Sequence, residues 1–111
     1  MPFIEVKTNQ TISDKITLKS ALGEAITAIP GKSEAWLMVE LEDEKDMYFK
    51  GSDEPCAMFE IAIFGKAGDA AYDDLTVRIC EISEKLLNVP ADRTYVKYSE
   101  INHWGFNKFN F

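Results

Sequence analysis

The residue with the clearest chemical potential stands second in the chain. Pro2 follows Met1 directly; if the methionine is removed, the proline nitrogen becomes a secondary amine at the head of the segment PFIEV. A free α-amine has a reference pKa of about 7.7 to 8.0, and an apolar enclosure or nearby cations lower it. Such an amine is a base poised near neutral pH, the condition that general acid-base catalysis favours. With Met1 in place the same nitrogen is an amide and no base.

Other reactive side chains are sparse. Cys56 and Cys80 lie far apart with a single histidine, His103, so neither a disulfide framework nor a zinc cluster is indicated, and both cysteines read as buried thiols. His103 reads as a partly exposed edge residue, since no serine, cysteine or carboxylate constellation accompanies it. The acidic run from Glu42 to Asp46 reads as a solvated turn, not a metal site. Gly65-Lys66-Ala67-Gly68 is too short for a phosphate loop and lacks its Ser or Thr. No metal and no organic cofactor is expected.

With 111 residues, 46% hydrophobic and 28% charged, the chain has room for one domain, spanning 1–111, with a real core. Its formal net charge of −7 argues against nucleic acid, where phosphate contacts need concentrated Lys and Arg. A few lysines converging locally can still hold an anion. No segment approaches the roughly 20 apolar residues of a membrane-spanning helix, and MPFIEVKTNQ has no signal-peptide pattern. A cytoplasmic location is therefore expected, with no membrane partner.

These residues need elements to position them. PFIEV reads as a strand. Leu18, Leu22, Ala25, Ile26 and Ile29 recur at helical spacing, with Thr11 or Ser13 as cap and Pro30-Gly31 as stop. WLMVELE alternates as a strand, with Leu37, Val39 and Leu41 on one face and Trp36, Met38 and Glu40 on the other. MYF and the loop KGSDEP read as a hairpin-like piece feeding the long, largely buried strand CAMFEIAIF. From Asp69 to Asn88 a second helix places Leu75, Ile79, Ile82 and Leu86 in one stripe. RTYVKYS is the next strand, and the tail WGFNKFNF is aromatic enough to be expected packed. The order is strand-helix-strand twice, an α/β pattern whose units form parallel pairs with right-handed crossovers. One sheet with both helices on one face leaves its other face to be covered, which a homo-oligomer would do.

Read end to end, the chain resembles the macrophage migration inhibitory factor family of tautomerases. The resemblance rests on the Pro2 start, Thr8-Asn9, Gly31-Lys32, the run GSDEPCA from Gly51 to Ala57, Gly65-Lys66, Pro90-Ala91-Asp92-Arg93 leading to Tyr95, and Trp104-Gly105-Phe106-Asn107. Each motif is short, but their order and spacing are shared along the whole chain. The resemblance implies two β-α-β units in a four-stranded mixed sheet with two helices on one face, assembled as a homotrimer. It also implies a cofactor-free keto-enol tautomerase in which Pro2, once exposed, moves a proton between carbon and oxygen of a phenylpyruvate-like 2-keto acid.

Residue by residue, Lys32 corresponds to the family's substrate-binding lysine. Tyr95 corresponds to a residue that enters the pocket from the neighbouring subunit. Trp36, Phe106 and Phe111 fall at aromatic pocket walls, suited to an aryl substrate. The chain departs from the family pattern at Lys97, where asparagine is common, and at Phe64, where a smaller aliphatic residue is usual. Lys97 shares a strand face with Tyr95 and would favour anionic substrates; Phe64 would narrow the pocket. A Cys-x-x-Cys pair of some members is absent, the run being Cys56-Ala57-Met58-Phe59, so no thiol redox chemistry is expected. A second reading is a cytokine-like trimer that binds a protein receptor, its tautomerase activity vestigial, and the resemblance leaves room for non-classical secretion.

Overall fold

A computed structural model describes all 111 residues. The elements run β1 (Pro2–Thr8), α1 (Lys15–Ala25), β2 (Met38–Glu42), β3 (Ala57–Phe64), α2 (Asp69–Ile82), β4 (Thr94–Ile101), β5 (Gly105–Phe106) and β6 (Phe109–Asn110). The main sheet has the order β2-β1-β3-β4. β1 pairs parallel with β2 across α1, and β3 parallel with β4 across α2; β1 and β3 join the two units antiparallel. No helix is long and apolar enough to cross a membrane.

Strict alternation explains why both helices lie on one face. Pro2, Ile4, Val6 and Thr8 are the buried set of β1, and Ala57, Phe59, Ile61 and Ile63 that of β3. Of these, Ile4, Val6 and the four β3 residues meet Leu18, Leu22 and Ile26 of the first helical segment and Leu75 and Ile79 of α2 in one core cluster. Leu37, Val39 and Leu41 pack against it as partly buried neighbours.

On the opposite face, Glu40, Glu5, Glu60 and Lys97 stand side by side across all four strands. This row keeps the middle of the open face polar, with Phe3, Met38 and Phe64 at one end and Met58 and Tyr95 at the other.

Several local expectations need correction. The cap of α1 is Asp14, not Thr11 or Ser13: its Oδ1 accepts from the Thr17 backbone N–H at 3.0 Å and its Oδ2 from the Thr17 hydroxyl at 2.7 Å. The hydrogen bonds from the Thr17 hydroxyl and backbone N–H hold the Asp14 carboxyl below its usual pKa. Trp36 is not on β2; it closes a 3₁₀ turn over Glu34–Trp36, and the strand begins at Met38.

After Ile82 the second helix widens into a π turn over Ser83–Leu87, ended by Asn88 in the left-handed region (φ 55°). The inserted residue rotates the stripe, so Ser83 and Leu87 are buried while Ile82 and Leu86 are half-buried. Residues 47–49 form no strand. Phe49 and Ser52 instead exchange backbone hydrogen bonds around Lys50 and Gly51, whose φ of 53° and 76° make a tight two-residue turn. Cys56 is buried, but Cys80 is half-buried.

The aromatic tail is also not packed away. It folds into the β5–β6 hairpin, turned by Asn107 and Lys108 at positive φ, and leaves Phe106, Phe109 and Phe111 44–54% exposed.

Candidate active site

The head of β1 is gripped from two sides. The Phe64 N–H donates to the Met1 carbonyl at 3.0 Å, fixing the chain's start against the end of β3. Lys32, just past the first helix, reaches over the same end of the sheet, and its Nζ donates to the Phe64 carbonyl at 2.9 Å. Gly31 makes that reach possible: at φ 80° it turns the chain where a side chain would be strained.

The Lys32 ammonium thereby lies beside the Met1 amine. Burial lowers the pKa of this amine, and the Lys32 charge lowers it further, because a second cation disfavours protonation.

Next to this pair opens a cavity of about 580 Å³, lined mainly by apolar groups. Met1, Pro2 and Phe3 form its floor, Trp36 and Met38 one wall, and Trp104 with Phe106 another. Trp36 meets Phe106 edge to face, with ring centroids 5.5 Å apart. The 3₁₀ turn that carries Trp36 sits close on α1, because a Cβ at Gly23 would fall on the Glu34 carboxyl group. Another cavity of about 300 Å³ lies between the helices near Ala21, Arg78 and Leu86 and shares no lining residue with the first.

The structure thus brings Pro2, Lys32, the Phe64 carbonyl, Trp36 and Phe106 to one end of the sheet. Phe64 and Phe111 do not line the cavity; their rings pack on each other at 5.6 Å. Trp104, Phe3 and Met38 line it without having been singled out as wall residues. Trp104 lay within the motif already quoted, and Phe3 and Met38 are paired neighbours at the heads of two parallel strands.

Tyr95 and Lys97 are elsewhere. Tyr95 is opposite Met58, whereas Pro2 is opposite Ile63, a separation of roughly 16 Å along β3 at about 3.3 Å per residue. The Tyr95 ring is 57% exposed and contacts Phe49. Lys97 is opposite Glu60 and pairs with it at 2.7 Å. Neither can reach the Pro2 cavity of its own chain.

Around Lys97 the charges are unevenly shared. Lys7 lies 2.7 Å from Glu5 and 3.9 Å from Glu60. Lys7 lowers the Glu5 pKa, while Glu40 is raised, first because it hydrogen-bonds Glu5 and so retains the proton that two adjacent carboxyls share.

Three resemblance motifs have a structural use that the geometry makes plain. The Thr8 hydroxyl donates to the Cys56 carbonyl at 2.8 Å, and Asn9 brackets residues 53–56 through its Oδ1 and Nδ2. Arg93 binds the other side of the same loop.

The family model described as macrophage migration inhibitory factor (MIF) matches residues 1–109. Macrophage migration inhibitory factor of Xenopus laevis is 30% identical over 105 residues, covering 92% of this chain and 90% of that protein. The crystal structure of Leishmania major MIF2 superposes with a TM-score of 0.92 at 29% identity, covering 100% of this chain and 97% of the other. A homologue from Prochlorococcus marinus gives 0.89 at 25% identity, covering 98% of each chain.

Proposed function

The chain belongs to the macrophage migration inhibitory factor family of the tautomerase superfamily, and from that premise we propose a cofactor-free keto-enol tautomerase acting on phenylpyruvate-like 2-keto acids. The carrying observation is the Lys32 ammonium beside the amino end of the chain, whose Met1 and Pro2 line an apolar, aromatic cavity that Lys32 itself does not line. A cation next to an apolar cavity suits an aryl ring bearing a carboxylate.

Removal of Met1 transfers the free amine to Pro2, one residue along, where burial and Lys32 lower its pKa for the same reasons. Neutral at physiological pH, the amine accepts the enol O–H proton of the substrate. Its conjugate acid then returns the proton to the adjacent carbon, giving the ketone with no net change in charge or oxidation state. Lys32 holds the carboxylate, and the Trp36–Phe106 pair packs against one side of the aryl ring.

The active form is a homotrimer of one-domain subunits. Tyr95, out of reach of its own cavity, serves the cavity of a neighbour, and Lys97 on the same strand face adds positive charge there, moderated by Glu60. Phe64 contributes its backbone carbonyl, which holds Lys32, while its ring packs on Phe111.

The deciding experiment is the enol-to-keto conversion of phenylpyruvate by protein whose intact mass confirms loss of Met1, alongside Pro2→Gly. Activity that collapses in the variant is the expected result. A processed wild type without activity overturns the enzymatic reading and leaves a protein-binding trimer.

A further inference from the structure

The pattern of Arg93 contacts carries more than loop anchoring. A guanidinium has five N–H donors in one rigid plane. Here four hydrogen bonds go to four backbone carbonyls: Nε to Pro55 at 2.7 Å, Nη1 to Phe49 at 3.1 Å, and Nη2 to Ser52 at 3.3 Å and Glu54 at 2.9 Å. No carboxylate pairs with it; the chain's other arginine, Arg78, pairs with Asp74. The unneutralised charge instead lies over the Phe49 ring, 5.3 Å from its centroid, with Lys50 also over that ring at 5.4 Å.

Phe49 in turn meets Tyr95 edge to face, at 4.8 Å and 84°. Arg93 and Tyr95 are two residues apart on the chain, yet their side chains are linked only through this 44-residue detour to Phe49. Apart from Phe49, no ring or hydrogen-bond partner holds the Tyr95 side chain, which is largely exposed in the single chain.

We infer that Arg93 is a positioning residue: by clamping residues 49–55 and seating the Phe49 ring, it holds Tyr95 in the orientation that a neighbouring subunit's cavity receives. The inference rests on the tautomerase reading for the use of Tyr95, but the clamp itself can be tested without activity. Loss of the clamp releases an aromatic side chain that must be reordered when substrate binds. The expected penalty is about three- to tenfold in kcat/KM, the cost of immobilising one side chain.

Two linked measurements test it. The first is a double-mutant cycle with phenylpyruvate. Phe49→Leu and Arg93→Lys, each verified by native mass to keep the assembly, should each lower kcat/KM about three- to tenfold in the wild-type background and hardly at all in a Tyr95→Ala background. Arg93→Lys keeps the charge but loses the fork, so unchanged activity there would overturn the clamp. Equal losses in both backgrounds would overturn action through Tyr95.

The second is fluorine NMR of protein labelled with 3-fluorotyrosine, which has four tyrosines, the Tyr95 signal being assigned by Tyr95→Phe. That signal should be displaced by the Phe49 ring and return toward its free value in Phe49→Leu and Arg93→Lys. An undisplaced Tyr95 signal in the wild type overturns the inference. A displaced, clamp-dependent signal in a protein inactive on phenylpyruvate would sink the tautomerase reading and leave the clamp standing.

Discussion

Lys32 joins two tasks that one cation seldom holds at once: it is bound to the Phe64 carbonyl and it faces the amine at the chain's start. Under the proposed mechanism it binds the substrate carboxylate and depresses the pKa of the base. Lys32→Ala should therefore raise KM for phenylpyruvate by roughly ten- to a hundredfold, the range of a charge-assisted hydrogen bond of about 1.5–3 kcal/mol. It should also move the pH profile. The base works unprotonated, so kcat/KM rises with pH through the pKa of the Pro2 amine, which the same burial and Lys32 charge that lower the Met1 amine should hold down once Met1 is removed. Removing the neighbouring cation lets that pKa climb, so the rise should shift to higher pH in Lys32→Ala. Steady-state kinetics across pH reads both effects, and an unshifted profile would separate Lys32 from the base.

Among the elements, the contact of α1 with the Trp36 turn is tight enough to matter. Gly23→Ala improves helix propensity by up to about 1 kcal/mol but drives the Glu34 side chain away and disturbs its exposed ion pair with Lys19. Thermal unfolding should move by less than about 1 kcal/mol in either direction, and KM should hold, because the obstacle is an exposed side chain that can swing away without moving the turn that carries Trp36. A raised KM would mean that the turn shifts with Glu34 and carries the indole along.

The sheet's open face makes a separate prediction. The folded-state pKa of Glu40 is raised by Glu5, so the stability linked to this proton is present at low pH and lost as pH rises through the folded pKa. Glu40→Gln should melt higher than wild type above the carboxylate range and converge with it below. Parallel melts at several pH values decide it.

At the scale of the whole molecule, the separation of Tyr95 from Pro2 is the governing fact. Two β-α-β units place these residues at opposite ends of β3, so no rearrangement of side chains brings them together in one chain. If neighbouring subunits share each site, Pro2→Gly and Tyr95→Ala variants are each impaired alone. Refolded as a mixture they should regain activity, since some cavities then pair an intact Pro2 with an intact Tyr95. Native mass should give three times the 12.6 kDa of the chain. Mixed assemblies of that mass with no regained activity would mean that each site is complete within one subunit.

Local rules were enough for much of this. The apolar runs PFIEV and CAMFEIAIF, the alternation of WLMVELE, helical spacing in Leu18 and Leu22, and the glycine after Pro30 determined the order of elements and the place of Lys32 past the first helix, because each depends on a few neighbouring residues; that β3 buries only every second residue came from the structure. Motif order likewise marked the family. The tertiary structure alone decided what depends on distant segments meeting. The tail hairpin puts Trp104 on the cavity while leaving Phe111 against Phe64; the Asp14 cap, by contrast, is a local bond to Thr17 three residues on. Arg93 is the plainest case: beside Thr94 it reads as one more surface cation, and only when β3 and β4 pair does its planar fork meet the carbonyls of a loop some forty residues earlier.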